Sequence, residues 1–257
     1  MKNIMDKFSK KIKKRIILIL AGKSNSNMPT YLINIGSTLA IEKILNNLNL
    51  SEEDKVFLAI NNDKRKFIRF NNLKNLKLIN VSSTDSVIET IQKTLDFINE
   101  EYLEIIPITT IPDNSNIPFK SVVFSSKLIP RENWSSILIN NNNIEYLFKN
   151  KEIEFSRESY PFTGRIFLNT MDLRECINKI EKSEYDDLLK LARILINDYG
   201  YKIHQETWYD IGHSATYLET KLTSINKRFF NSISYCKSND TLIKSSTDNE
   251  KLKNELL

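Results

Sequence analysis

The stretch LILAGKSNSNMPTYLINIGSTLAIEKIL, residues 18–45, decides the fold. Its first residues belong to IILILA (16–21), a short, wholly apolar run that reads as a strand buried on both faces. Gly22 supplies a turn, a polar loop follows from Lys23, and STLAIEKILNNL (37–48) carries apolar residues at helical spacing. A strand that passes through a glycine turn toward a helix places backbone N–H groups where a ligand's phosphates can meet them.

Outward from this unit the pattern repeats. Strand-like runs at 15–21, 55–60, 76–81, 103–110, 120–126 and 164–169 alternate with helix-like segments at 37–48, 83–101, 171–182 and 184–200. The alternation predicts βαβ units, hence an α/β chain: a Rossmann-like three-layer sandwich whose central mixed sheet is mainly parallel. After Lys120 the strands shorten, and ILINNNNIEYLFKNKEIEF (137–155) reads as antiparallel turns on the same sheet. We divide the chain into a basic arm at 1–14, one domain at 15–221 and a polar extension at 222–257, whose closing helix-like DNEKLKNELL is a possible linker to a further domain.

Composition narrows the function classes. The net charge of +5 comes largely from the arm, while acidic and basic residues are mixed elsewhere, so a solvated tail is expected rather than a nucleic-acid surface. IILILA is too short for a signal peptide's apolar core, and no stretch approaches the roughly 20 apolar residues of a membrane helix, so a cytoplasmic protein is expected. Two cysteines, Cys176 and Cys236, and two histidines, His204 and His213, make neither a disulfide framework nor a zinc spacing. Any metal would be a hard cation on carboxylates.

The chain has five glycines, Gly22, Gly36, Gly164, Gly200 and Gly212, and each marks a position where a side chain is costly. Taken with LAG (20–22), Pro29, the INIGS turn (33–37), FTGRIFLN (162–169) and WYDIG (208–212), they resemble the sugar-phosphate nucleotidylyltransferases over about residues 15–221. Those enzymes join a nucleoside triphosphate to a phosphorylated sugar or small alcohol and release pyrophosphate. Such a protein stabilises its transition state mainly with cations and a divalent metal.

The resemblance implies nucleotide contacts at Leu20, Ala21, Gly22, Lys23, Ser24 and Thr84, and substrate contacts at Glu158, Gly164, Arg165 and His213. It implies Mg²⁺ on Asp113 and Asp210, with Lys23 and Asp210 as catalytic groups. The residues alone leave other readings open: an Asp–Asn turn at Asp113, a helix cap at Asp210, and a capped helix with a core face at 83–92. The chain also departs from the family, because Asn27 stands near the signature Arg's place, Thr30 follows Pro29 where a Lys is usual, and Ser159 follows Glu158. Two functions follow as expectations. One is a divergent nucleotidylyltransferase for surface polysaccharide synthesis, the alternative a degenerate domain kept as a binding or scaffolding module. The tail around RFFN (228–231) is similar to a join that precedes a kinase-like phosphotransferase domain.

Overall fold

The computed structural model describes residues 14–21, 33–35, 38–60, 76–81, 84–113, 116–126, 129–130, 135–140, 143–147, 158–212 and 220. In chain order the elements are β1 (Ile16–Ala21), β2 (Asn34–Ile35), β3 (Thr38–Leu39), α1 (Ala40–Leu48), β4 (Lys55–Ile60), β5 (Leu76–Asn80), α2 (Val87–Leu95), β6 (Tyr102–Pro107) and β7 (Thr110–Pro112). There follow β8 (Ser121–Ser125), β9 (Ile129–Pro130), β10 (Ser136–Asn140), β11 (Asn143–Leu147), β12 (Glu158–Asn169), α3 (Thr170–Lys179), α4 (Leu188–Tyr199), β13 (Lys202–Glu206) and β14 (Trp208–Asp210).

Ten strands form one sheet in the order β11-β10-β12-β6-β1-β4-β5, with β8 and β9 also pairing to β12 and β13 pairing to β8. The neighbours of β1, which are β4 and β6, run parallel to it, as β5 does to β4. The long strand β12 runs against β6, β8, β9 and β10, and the hairpin β10–β11 turns back at the edge. This is the α/β three-layer sandwich expected from the sequence, with its antiparallel part after Lys120; the strands expected to be short there include β12, which at 12 residues is the longest of the sheet.

Alternation along β1 explains the layers. Ile16, Leu18 and Leu20 point to the core under α2, α3 and α4, which also holds Ile88, Ile91, Leu173, Ile177, Leu189 and Leu195. Ile17, Ile19 and Ala21 point the other way, onto Ile41, Ile44, Leu45 and Leu48 of α1. A strand buried on both faces must be apolar throughout, which is why the run IILILA carries no alternation. His204 is a strand residue of β13, paired with Val123.

Of the boundaries that differ from expectation, two have identifiable reasons. The run LEIIPITT is not one strand, because Pro107 has no N–H to continue the ladder and the chain turns at Ile108–Thr109. Ile108 N donates to the Leu20 carbonyl at 2.9 Å, and β7 leaves the main sheet to pair with β14. The helix read from residue 37 begins at Ala40, since Thr38 and Leu39 pair with Asn34 and Ile35, and Leu39 N donates to Glu42 Oε2 at 2.9 Å. Among the described residues no helix is long and apolar enough to cross a membrane. The arm before Lys14, Cys236 and the extension after residue 220 lie outside the described residues.

Opposite the loop-bearing end of the sheet, Asp54 closes the base. Its Oδ1 accepts from Arg15 N at 2.7 Å, and its Oδ2 accepts from Ser51 N at 2.8 Å and Arg15 Nη2 at 3.0 Å. Arg15 Nη2 also donates to the Leu48 carbonyl at 2.9 Å, tying α1 to β1 and β4. Burial alone would raise the Asp54 carboxyl, but the N–H donors of Arg15 and Ser51 and the Arg15 charge outweigh it and hold the carboxyl below its ordinary value. A lowered folded value favours the ionised form, so this stabilisation is present above the ordinary carboxylate range and is lost as pH falls through the folded value. Asp54→Asn should therefore cost about 1.5–3 kcal/mol at pH 7 and progressively less below the ordinary carboxylate range, as read by urea unfolding at both pH values.

Candidate functional site

The strand order puts β1 and β6 side by side and parallel, and both end at the same edge of the sheet. There the break at Pro107 opens a cleft of about 260 Å³. Its floor is apolar, with Leu20 from the end of β1, Pro107 and Ile108 from β6 and its turn, and Leu188 from the start of α4. The first turn of α2 forms one wall through Thr84, Ser86, Val87 and Thr90, and the carboxylates of Asp85 and Asp186 line it as exposed groups.

That wall is built by a capped helix start. Ser86 is the N-cap and accepts from Glu89 N at 3.2 Å, while Asp85 N donates to Glu89 Oε2 at 2.8 Å. Thr84 Oγ1 donates to the Val81 carbonyl at 2.8 Å and lies 2.8 Å from Thr90 Oγ1. Ile88 N reaches across to the Tyr185 carbonyl at 3.1 Å and ties the wall to the segment that carries Asp186. The capped-helix reading and the ligand-wall reading of residues 83–92 thus describe the same turn. An apolar floor beneath hydroxyl and carboxylate acceptors suits a flat ring with N–H or O–H groups at its rim.

Gly164 explains why the floor lies where it does. The register of β12 against β8 shifts between Phe162 and Ile166, and Gly164 sits in that irregularity with φ +78°. A Cβ there would fall 2.3 Å from Pro107 Cγ and 3.6 Å from Leu188 Cδ2. The expected substrate contact of Gly164 is therefore a backbone packed directly behind two floor residues.

The ribbon β7–β14 lies beside the cleft. Its register sets Trp208 opposite Pro112, Tyr209 opposite Ile111 and Asp210 opposite Thr110. Ile211 N donates to the carbonyl of the lining residue Thr109 at 2.9 Å. Gly212 fits against Thr109, for a Cβ on it would lie 3.2 Å from both Thr109 Cγ2 and Asp210 Oδ1. Asp210 is 4% exposed; its Oδ1 accepts from Gly212 N at 3.1 Å and its carbonyl accepts from Thr220 Oγ1 at 3.2 Å.

The structure brings together only some of the expected site residues. Leu20 and Thr84 line the cleft, Gly164 backs it, Ala21 is buried at the end of β1, and Asp210 stands beside it. Asp113 is not beside Asp210: the register puts it beyond Pro112, at the other end of the ribbon, about 10 Å along the strand from Thr110. One Mg²⁺ holds its ligands at about 2.1 Å, so these two carboxylates do not fit as a single ion's ligands. Among the described residues no group of three or more His, Cys, Asp and Glu could hold a metal.

Arg165 is also displaced from its expected role. It is fully buried, its Nε donates to Glu104 Oε1 at 2.8 Å and its Nη1 donates to Glu206 Oε2 at 2.8 Å, so its charge is met inside the core and not at the cleft. Burial raises the Glu206 carboxyl, Arg165 opposes the shift, and Glu104 and Asp113 add to it. Gly22, Lys23, Ser24, His213 and the side chain of Glu158, also expected at the site, lie outside the described residues. Sequence reasoning missed Ser86, Thr90, Pro107 and Asp186 as lining groups. Pro107 inside an apolar run was the available signal for a break at the sheet edge.

No protein-family profile matches the sequence, and no curated protein matches it. Solved structures do match in fold. A Bacillus anthracis protein assigned as a glucose-1-phosphate thymidylyltransferase is similar with a TM-score of 0.67 at 12% identity, over 82% of this chain and 95% of that one. The inositol-1-phosphate CTP transferase of T. maritima gives 0.59 at 15% identity, over 82% and 96%. A UDP-glucose pyrophosphorylase complexed with UDP-glucose gives 0.58 at 11%, over 83% and 99%. The chain therefore shares the fold of these nucleotidyltransferase structures.

Gly164→Ala checks the construction of the floor. The positive φ and the Pro107 contact should together cost about 1–3 kcal/mol, measured by urea unfolding, and the loss should come with weaker binding of any ligand that thermal shift detects in the cleft.

Proposed function

We propose that this chain, built on the fold of the sugar-phosphate nucleotidylyltransferases, binds a nucleoside triphosphate in the cleft and condenses it with a phosphorylated sugar or small alcohol. A phosphate oxygen of the second substrate attacks the α-phosphorus, the bond from that phosphorus to the β-phosphate oxygen breaks, and pyrophosphate leaves. The observation that supports this most is position: the cleft opens where the parallel strands β1 and β6 end, between the start of α2 and the start of α4. In open parallel sheets ligands settle in crevices at the carboxyl ends of strands.

Within this reading the base lies over Leu20, Pro107 and Leu188, with Thr84 and Ser86 accepting at its edge. No Lys or Arg occurs among the described lining residues, whereas Gly22, Lys23 and Ser24 follow Ala21 directly in sequence. We assign the triphosphate to that segment, with Lys23 as its cation. We assign Asp210 to the reacting groups and His213, the residue after Gly212 in sequence, to the second substrate. Synthesis of a surface polysaccharide precursor is the role we propose for the product.

Thermal unfolding with each common nucleoside triphosphate, with and without Mg²⁺, tests the reading. A ligand at a hundred times its Kd stabilises by about 2.7 kcal/mol, so one base-selective shift is expected, followed by pyrophosphate release with that nucleotide and a sugar phosphate. No shift with any of them would favour the binding or scaffolding module instead. Lys23→Ala should weaken triphosphate binding about tenfold or more, the scale of a lost charge-assisted contact of about 1.5–3 kcal/mol. Unchanged affinity in that variant would remove Lys23 from the site.

A further inference from the structure

The tripeptide Thr163-Gly164-Arg165 touches three parts of the molecule at once. Gly164 backs the cleft floor at Pro107. The Thr163 carbonyl accepts from Thr110 Oγ1, and Thr110 Oγ1 in turn accepts from Trp208 Nε1 at 3.4 Å, so this link reaches both strands of the ribbon. Arg165 holds Glu104 on β6 and Glu206 on β13, with Nη2 2.7 Å from Glu104 Oε1 and Nη1 3.0 and 2.8 Å from the two Glu206 oxygens. All three side chains are at most 6% exposed.

The placement of the two carboxylates gives this cluster its meaning. In the sheet, β6 and β13 are not neighbours, since β12 and β8 lie between them. Yet β6 runs through the Pro107 turn into β7, and β13 runs through Thr207 into β14. Arg165 therefore ties Glu104 of β6, six residues before β7 begins at Thr110, to Glu206, the last residue of β13, two residues before β14 begins at Trp208, at a site where a planar guanidinium can hold two carboxylates and a lysine cannot.

We propose that Arg165 is a positioning residue: through Glu104 and Glu206 it sets the β7–β14 ribbon, and Asp210 with it, against the cleft. Its structural half stands on the geometry alone, and its catalytic half rests on the nucleotidyl-transfer reading above. Arg165→Met alone would strand two buried carboxylates, so the test uses the uncharged triple variant Arg165→Met/Glu104→Leu/Glu206→Met together with Arg165→Lys, both in the full chain.

Hydrogen exchange is the first readout. In each folded variant the amides of Thr110, Ile111 and residues 208–211 should exchange at least tenfold faster, while those of β1 and β4 keep their wild-type protection. Steady-state kinetics is the second, with kcat falling at least tenfold and the nucleotide Kd changing less than threefold. Ribbon amides that exchange at the wild-type rate, or acceleration that extends equally to β1 and β4, would overturn the proposal. A kcat unchanged beside a loosened ribbon would overturn its catalytic half. A wild type that releases no pyrophosphate with any triphosphate would instead sink the nucleotidyl-transfer reading, and the exchange comparison would still decide the clamp.

Discussion

The burial of β1 on both faces is the constraint from which the rest of the architecture follows. A six-residue strand with no exposed side chain needs a strand on each side and a helix layer above and below, and it has them in β4, β6, α1 and the α2–α4 group. Because the strands around it are parallel, their carboxyl ends gather on one edge, and whatever the loops there can bind is bound at that edge. The cleft is a consequence of this packing and of one residue that interrupts it, Pro107.

The two ends of the sheet use charge differently. At the base, a carboxylate accepts backbone N–H groups and a guanidinium and is held ionised. Inside the sheet, the same kinds of group are withdrawn from water, and the Glu206 carboxyl is pushed the other way by burial. A raised folded value means that stability is lost as pH rises from the ordinary carboxylate range through the folded value, the opposite dependence from Asp54. Burying an ion triad is a poor route to stability compared with apolar packing. Its presence beneath the ribbon is better understood as a device of geometry.

Much of this fold was legible because two-sided burial writes itself as unbroken apolar runs, and amphipathic helices as spaced ones. IILILA, KVFLAI and the helices at 87–95 and 188–199 are examples. Less legible was anything that depends on register. The resemblance implies Asp113 and Asp210 as partners, and only the pairing of Asp210 with Thr110 sets them apart along the ribbon. Arg165 in a central strand looked like a ligand contact, since a sequence does not display the glutamates 61 and 41 residues away that take up its charge. The cleft wall was half legible: Thr84 is implied by the resemblance, whereas Asp186 precedes another helix whose nearness is a property of the packing.

The position of β1 also has a consequence in time. It precedes in sequence every strand it pairs with, and Pro107 at the end of β6 comes about 85 residues after Ala21. At a synthesis rate of roughly 5–20 residues per second, a nascent chain carries IILILA without its full set of partners for roughly 4–17 seconds. Such a segment, β-prone and uncharged, is the kind that joins with copies of itself. Immediately before it stand Lys10, Lys11, Lys13, Lys14 and Arg15, a dense positive block beside a wholly apolar run. Like charges flanking an unavoidable apolar strand act as gatekeepers, and the charges of the arm stand in that position relative to β1.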